Sequence, residues 1–253
     1  MSATKAGSGL RRAGRLFAAL SVLALGVYVI ELSFVRVRYF EAARLVDSVR
    51  ELRIGVTTAE DVRQLSGRFA GKLYPVGPLI RRSLPVESSP TYFVMVTSPY
   101  IAFRDHYFHP VGPGIRFWSV AANLSVKDGY LSESALEVSV QRSDDVSLIS
   151  HLSVTSELLV GPEEYSYYVI EPHVTGPLTE ALHVNITPNA NFDERRKAFV
   201  LGMRCLTSLR ECRHVCELSP SAWPDLGDHR LFYEDGHEKI VEAECEKSLA
   251  DNK

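Results

Sequence analysis

The residues best suited to chemistry in this 253-residue chain are four cysteines, a histidine pair, a single His-Glu step and a pair of adjacent glutamates. Cys205, Cys212, Cys216 and Cys245 all lie in the last fifth of the sequence. An even cysteine number in a domain exported to an oxidising space predicts two disulfides. Three connectivities are open. A bridge from Cys212 to Cys216, one helical turn apart, is strained. The favoured arrangement therefore joins Cys205 to Cys212 or Cys216, with a second bridge tying in Cys245. Zinc is the competing reading, but structural zinc takes cysteines paired two to four residues apart, and only Cys212 and Cys216 qualify.

His106-Tyr107-Phe108-His109 puts two imidazoles where a strand would send them to opposite faces, so loop histidines are the simpler reading. His237-Glu238-Lys239-Ile240-Val241 begins like a zinc-peptidase helix and lacks the second histidine. Glu163, Glu164 and Glu171 offer carboxylates for acid–base work, yet Glu163 and Glu164 follow Gly161-Pro162 as a solvated turn would. No Gly-x-Ser-x-Gly, phosphate-cradling Gly-rich loop or dinucleotide fingerprint occurs. These residues assign no catalytic, cofactor-binding or metal-binding role, and no cofactor is expected.

The elements that must position these groups begin with an apolar run. Leu16 to Ile30 contains no charge, and Leu32 to Val35 extends it past Glu31. Twenty residues at 1.5 Å rise match a hydrocarbon layer of about 30 Å. The anchor is carried by Leu16, Phe17, Leu20, Leu23, Leu25, Val27, Tyr28, Ile30, Leu32 and Phe34. A cleaved signal peptide competes, with Ala24-Leu25-Gly26 as a small-x-small site, but Val27 to Phe34 stays apolar beyond it. The reading is a retained signal anchor.

Residues 1–15 then form a basic cytoplasmic tail, 16–35 the transmembrane anchor, and 36–253 an extracytoplasmic domain, with a subdivision considered near 142–160. Arg36, Arg38, Arg44 and Arg50 balance Lys5, Arg11, Arg12 and Arg15, so the positive-inside count is even. Short basic tails before a first segment stay inside while long domains translocate, which places the domain in the periplasm or outside the cell.

The domain is acidic, since four of the 28 basic residues precede the apolar run and none of the 31 acidic residues does. A nucleic-acid surface needs excess Lys and Arg, so nucleic acid is excluded as the expected partner. The partners expected are the lipid bilayer and another envelope protein. At 45% hydrophobic and 23% charged, the chain has the composition of a folded domain.

Along the domain, Ala42, Leu45, Val46, Val49 and Leu52 fall at helical spacing, with Glu41/Arg44 and Asp47/Arg50 as pairs on the wet side. Gly55 supplies a stop. Thr58-Ala59-Glu60-Asp61 has the form of a capping box opening a second helix with Val62, Leu65 and Phe69 on its apolar stripe. Strands are expected at 91–97, 115–126 and 130–141, the last two joined by Lys127-Asp128-Gly129 as a three-residue loop. More strands are expected at 165–175 and 181–187, helices at 193–215 and 240–250. Asn123 and Asn185 head glycosylation sequons, both in expected strands. The fold class is α+β: a transmembrane helix, a helical hairpin packed on an antiparallel sheet, and a Cys-containing helical C-terminal region.

The run Leu52-Arg53-Ile54-Gly55-Val56-Thr57-Thr58-Ala59-Glu60-Asp61-Val62, followed by a three-strand meander, resembles the SmpA/OmlA-type small lipoprotein of the outer-membrane β-barrel assembly machine over about residues 39–142. That resemblance implies a helix-helix-strand-strand-strand order. The lipidated cysteine of that family is missing near the N-terminus, and another hundred or so residues follow the meander. The anchor together with Cys205-Leu206-Thr207, Cys212 and Pro220-x-x-Trp223 resembles uncharacterised membrane-anchored bacterial envelope proteins, which implies a location and no activity. The functional expectation is an anchored envelope protein whose domain binds a protein or supports an assembly, with an anchored hydrolase built from non-motif residues as the alternative.

Overall fold

The computed structural model describes residues 6–74, 90–99, 116–142, 147–155, 166–171, 179–186, 192–208, 210–221, 245–247 and 250. His106, His109, Glu163, Glu164, His237 and Trp223 lie outside the described residues, as does most of the helix expected over 240–250.

The first element, α1, runs unbroken over Ala6–Arg50. Alanine, leucine and arginine favour it, and although valines and four glycines lower its propensity, no proline interrupts it. Its second half carries Val35, Ala42, Leu45, Val46 and Val49, all buried. The expected wet-side pairs are half right. Asp47 binds Arg50 at 3.3 Å, but Glu41 takes Arg38 as its partner instead of Arg44. Arg38 also donates to the Thr97 carbonyl, which turns it toward the sheet and brings it within reach of Glu41.

α2 spans Ala59–Arg68 and opens with the expected capping box: Thr58 Oγ1 accepts from the Asp61 N–H, and the Asp61 carboxylate accepts from the Thr58 N–H. Val62 and Leu65 are its buried face. Both helices pack on the sheet.

The sheet has seven strands in the order β1-β2-β3-β4-β5-β7-β6. They are β1 Lys72–Tyr74, β2 Thr91–Thr97, β3 Trp118–Lys127, β4 Tyr130–Gln141, β5 Ser147–Thr155, β6 Ser166–Glu171 and β7 Thr179–Ile186. The expected antiparallel sheet is mixed, because β5 and β7 pair in parallel. After β5 the chain skips one position, lays β6 at the edge, and returns with β7 between them. β5 also runs through the stretch where a subdivision was considered, and its pairing with β4 and β7 carries the sheet across it.

The β3–β4 turn is tighter than expected. Lys127 pairs with Tyr130, so Asp128 and Gly129 form a two-residue loop with φ of 54° and 85°. Two positive φ values are the signature of the primed turn whose twist suits a hairpin, and Asp-Gly is its preferred sequence. The segment between α1 and α2 docks on this hairpin: Gly55 N–H donates to Leu131 O, Leu131 N–H to Thr57 O, and Ala59 N–H to Gly129 O.

One face of the sheet is the core. Val94, Val96, Val120, Ala122, Leu124, Leu136, Val138, Val140, Leu148, Leu152, Leu182 and Val184 alternate inward and meet α1, α2 and the C-terminal segment. The single helix expected over 193–215 is three pieces: α3 Phe192–Ala198, a 3-10 turn Met203–Leu206, and α4 Val215–Leu218. Gly202 explains the break. A Cβ there would stand 1.8 Å from the Glu217 carbonyl oxygen, so the chain folds back on itself at a point only glycine fits.

Candidate functional site

The first functional element is the exposed half of α1. Leu16, Phe17, Leu20, Leu23, Leu25, Val27, Ile30 and Phe34 are all exposed, between 49% and 73%. A cluster of this size exposed to water has no place on a monomeric soluble surface. Gly14–Arg50 is the one described helix long and apolar enough to cross a membrane. Tyr28 and Leu32, assigned to the anchor by sequence, are half-buried together with Glu31, and Val35 is completely buried. The domain therefore packs on one face of the helix before the apolar run ends, and no linker separates the two.

The second element is the C-terminal segment. Cys205 and Cys212 are paired with Cα atoms 5.1 Å apart, and Cys216 and Cys245 with Cα atoms 5.9 Å apart. Both separations lie in the ordinary disulfide range. All four sulfur-bearing residues are buried. Arg116, 6% exposed at the entry to β3, holds the first loop by donating to the carbonyls of Cys205 and Arg210, with Glu211 at 3.7 Å. Burial lowers its pKa and Glu211 opposes that shift; the guanidinium stays charged. A core-facing serine, Ser150, is satisfied by a hydrogen bond with Ser219, which pins α4 to β5.

The third element is the face of the sheet opposite the helices. One register row there runs Met95, Ala121, Glu137 and His151 across β2, β3, β4 and β5. Glu137 Oε2 stands 3.6 Å from His151 Nδ1, with His151 half-buried and Met95 exposed. At that distance the contact is an ion pair when the imidazole is protonated, beyond hydrogen-bond range. A carboxylate hydrogen-bonded to an imidazole is the orienter-and-base half of a hydrolytic relay, and this pair stands just outside that geometry.

Sequence reading missed this pair because β5 was missed: Ser150 interrupts the apolar alternation of Leu148, Leu152 and Val154, so Ser147–Thr155 does not read as a half-buried strand. Register then decides which residues meet. The two sequon asparagines share a register row but lie three strands apart, Asn123 on β3 and Asn185 on β7.

A groove of about 510 Å³ lies between α1 and the end of α2, lined by Glu41, Arg44, Asp47, Ser48, Arg68 and Phe69. Its acids and bases balance, so it selects for neither sign of charge. Among the described residues no three His, Cys, Asp or Glu side chains gather at metal-binding distance.

Comparison of the chain with protein-family models, with curated proteins and with solved structures finds no match.

Proposed function

We propose that this chain is a single-pass membrane protein, its N-terminus cytoplasmic and its α+β domain extracytoplasmic, whose domain binds another envelope protein or supports an assembly. The observation that carries the reading is α1. From Leu16 to Phe34 the helix is apolar and largely exposed, and from Val35 to Val49 one face of it is buried in the domain, with no break between. A tether of this kind fixes the domain close to the bilayer, which suits a role at the membrane surface better than a reach across a wide space. The paired cysteines suit an oxidising compartment on the far side.

Protease added to intact cells and spheroplasts, combined with a count of alkylatable thiols under denaturing conditions, tests both parts. Digestion of the domain from outside and no free thiols are expected. Protection until lysis, with all four cysteines alkylated, removes the orientation and the compartment together. For the binding role, crosslinking in native membranes is expected to trap a discrete protein partner, and recovery of the chain alone overturns it.

A second reading, an anchored hydrolase, is favoured by the Glu137–His151 pair. It requires that His151→Ala abolish a hydrolytic activity while leaving the fold intact.

A further inference from the structure

On the face of α1 turned away from the domain, the apolar run does not stop at Val35. Val37 and Phe40 are 63% and 62% exposed, a degree that leaves both available to another surface. Arg36, Phe40 and Arg44 stand four residues apart and share one stripe, with Val37 beside it, and Arg44, at the end of the stripe, also borders the groove toward α2. The buried set, Val35, Ala42, Leu45, Val46 and Val49, occupies the opposite stripe. The other arginines of this stretch are occupied: Arg38 pairs with Glu41 and Arg50 with Asp47. Among the described residues Arg36 and Arg44 have no ion-pair partner, and both are exposed.

We infer that Arg36, Val37, Phe40 and Arg44 form a contact with phospholipid headgroups, which lays the emerging end of α1 obliquely on the leaflet and carries the domain on its upper side. The inference rests on the membrane-tether reading given above. Three physical arguments lead to it. From Leu16 to Phe40 the helix is about 37 Å long, longer than a hydrocarbon layer of about 30 Å, and helices relieve such an excess by tilting.

The direction of the tilt follows from where the domain sits. Leaning toward the exposed stripe brings Val37 and Phe40 down to the lipid and lifts the domain away. Leaning the other way would drive the polar surface of a folded domain into hydrocarbon.

The chemistry of the stripe fits the headgroup layer. An aromatic ring flanked by two arginines puts apolar area at the acyl boundary, while guanidinium groups reach phosphate oxygens and form charge-assisted hydrogen bonds. The occupant is the phosphodiester of the lipid itself, and anionic lipid strengthens the contact.

The full chain in nanodiscs, labelled with bimane at Leu23→Cys, Phe40→Cys or Val56→Cys in separate preparations, tests this with lipid-borne nitroxides. Expected is quenching of position 23 by acyl-chain nitroxide, quenching of position 40 by headgroup nitroxide, and none at position 56 on the exposed inter-helix turn. Adding Arg36→Glu and Arg44→Glu is expected to reduce quenching at position 40 at least about twofold and remove its dependence on anionic lipid. Quenching at 23 with none at 40 overturns this inference and leaves the tether standing. No quenching at 23 overturns the tether itself. Energy transfer between labels at position 40 that rises with protein density would assign the stripe to a second copy of the chain and also overturn the inference.

Discussion

The same face of one sheet carries two covers built in different ways. Over β2, β3 and β4 lie α1 and α2, whose buried residues are Ala, Val and Leu with the one serine Ser66, and which carry no covalent link. Over β5 and β7 lies the C-terminal segment, made of a 3-10 turn and a four-residue helix. Short helices bury little area and cost nearly as much to order as long ones gain. That side is held by two disulfides, by Arg116 beneath the first loop and by Ser150 bonded to Ser219. The difference teaches where apolar periodicity suffices and where cross-links take its place.

The comparison is broken most severely by removing one side chain from the apolar cover. Leu45 is completely buried between α1 and the sheet, and Leu45→Ala is expected to cost about 3–5 kcal/mol, read by denaturant unfolding of the full chain in micelles. A loss below about 1 kcal/mol would mean that α1 is not part of the cooperative core.

On the other cover, replacing Cys216 and Cys245 together by serine opens a loop of 29 residues and is expected to cost about 3.5 kcal/mol. Replacing Cys205 and Cys212 together opens a loop of separation 7 and is expected to cost about 2.5 kcal/mol. Hydrogen exchange sharpens the contrast. Both cysteine variants are expected to raise exchange in β7 and leave β3 unchanged, and equal acceleration in the two strands would dissolve the distinction between the covers.

A smaller effect belongs to the capping box. Thr58→Ala is expected to cost about 1 kcal/mol at neutral pH, measured the same way. The smallest is its pH dependence. Hydrogen bonds from the Thr58 side chain and backbone hold the Asp61 carboxyl below its ordinary value of 3.8. A depressed carboxyl contributes stability above its unfolded pKa and loses it as pH falls through the folded one. The penalty of Thr58→Ala is therefore expected to shrink as pH drops below 3.8, and a penalty that stays constant into stronger acid would separate the cap from the Asp61 charge.

Much of the first cover was legible because its signals are local. The capping box, the stripe at Ala42, Leu45, Val46 and Val49, and the alternation in β2 and β4 each depend on residues a few positions apart. Even so, the hairpin loop was read one residue too long, since only pairing of Lys127 with Tyr130 sets its length. The second cover was far less legible. Met203 to Leu218 lacks a period, and the fold-back at Gly202 depends on the Glu217 carbonyl fifteen residues away. Spacing narrowed the cysteine connectivity; contact chose Cys205 with Cys212 and Cys216 with Cys245. The Glu137–His151 pair gave no sequence signal, because fourteen residues separate its members and register alone makes them neighbours.

By itself the sequence determined that a long apolar segment precedes an acidic α+β domain, for both facts are sums over composition and short-range period. Only the tertiary structure decided that α1 passes without a joint from its exposed run into the core, that β7 inserts beside β5, and which side chains share a row. The physical reason is that burial and register are set by contacts between distant segments, whose free energy belongs to the pair of surfaces that meet and is written in neither segment alone.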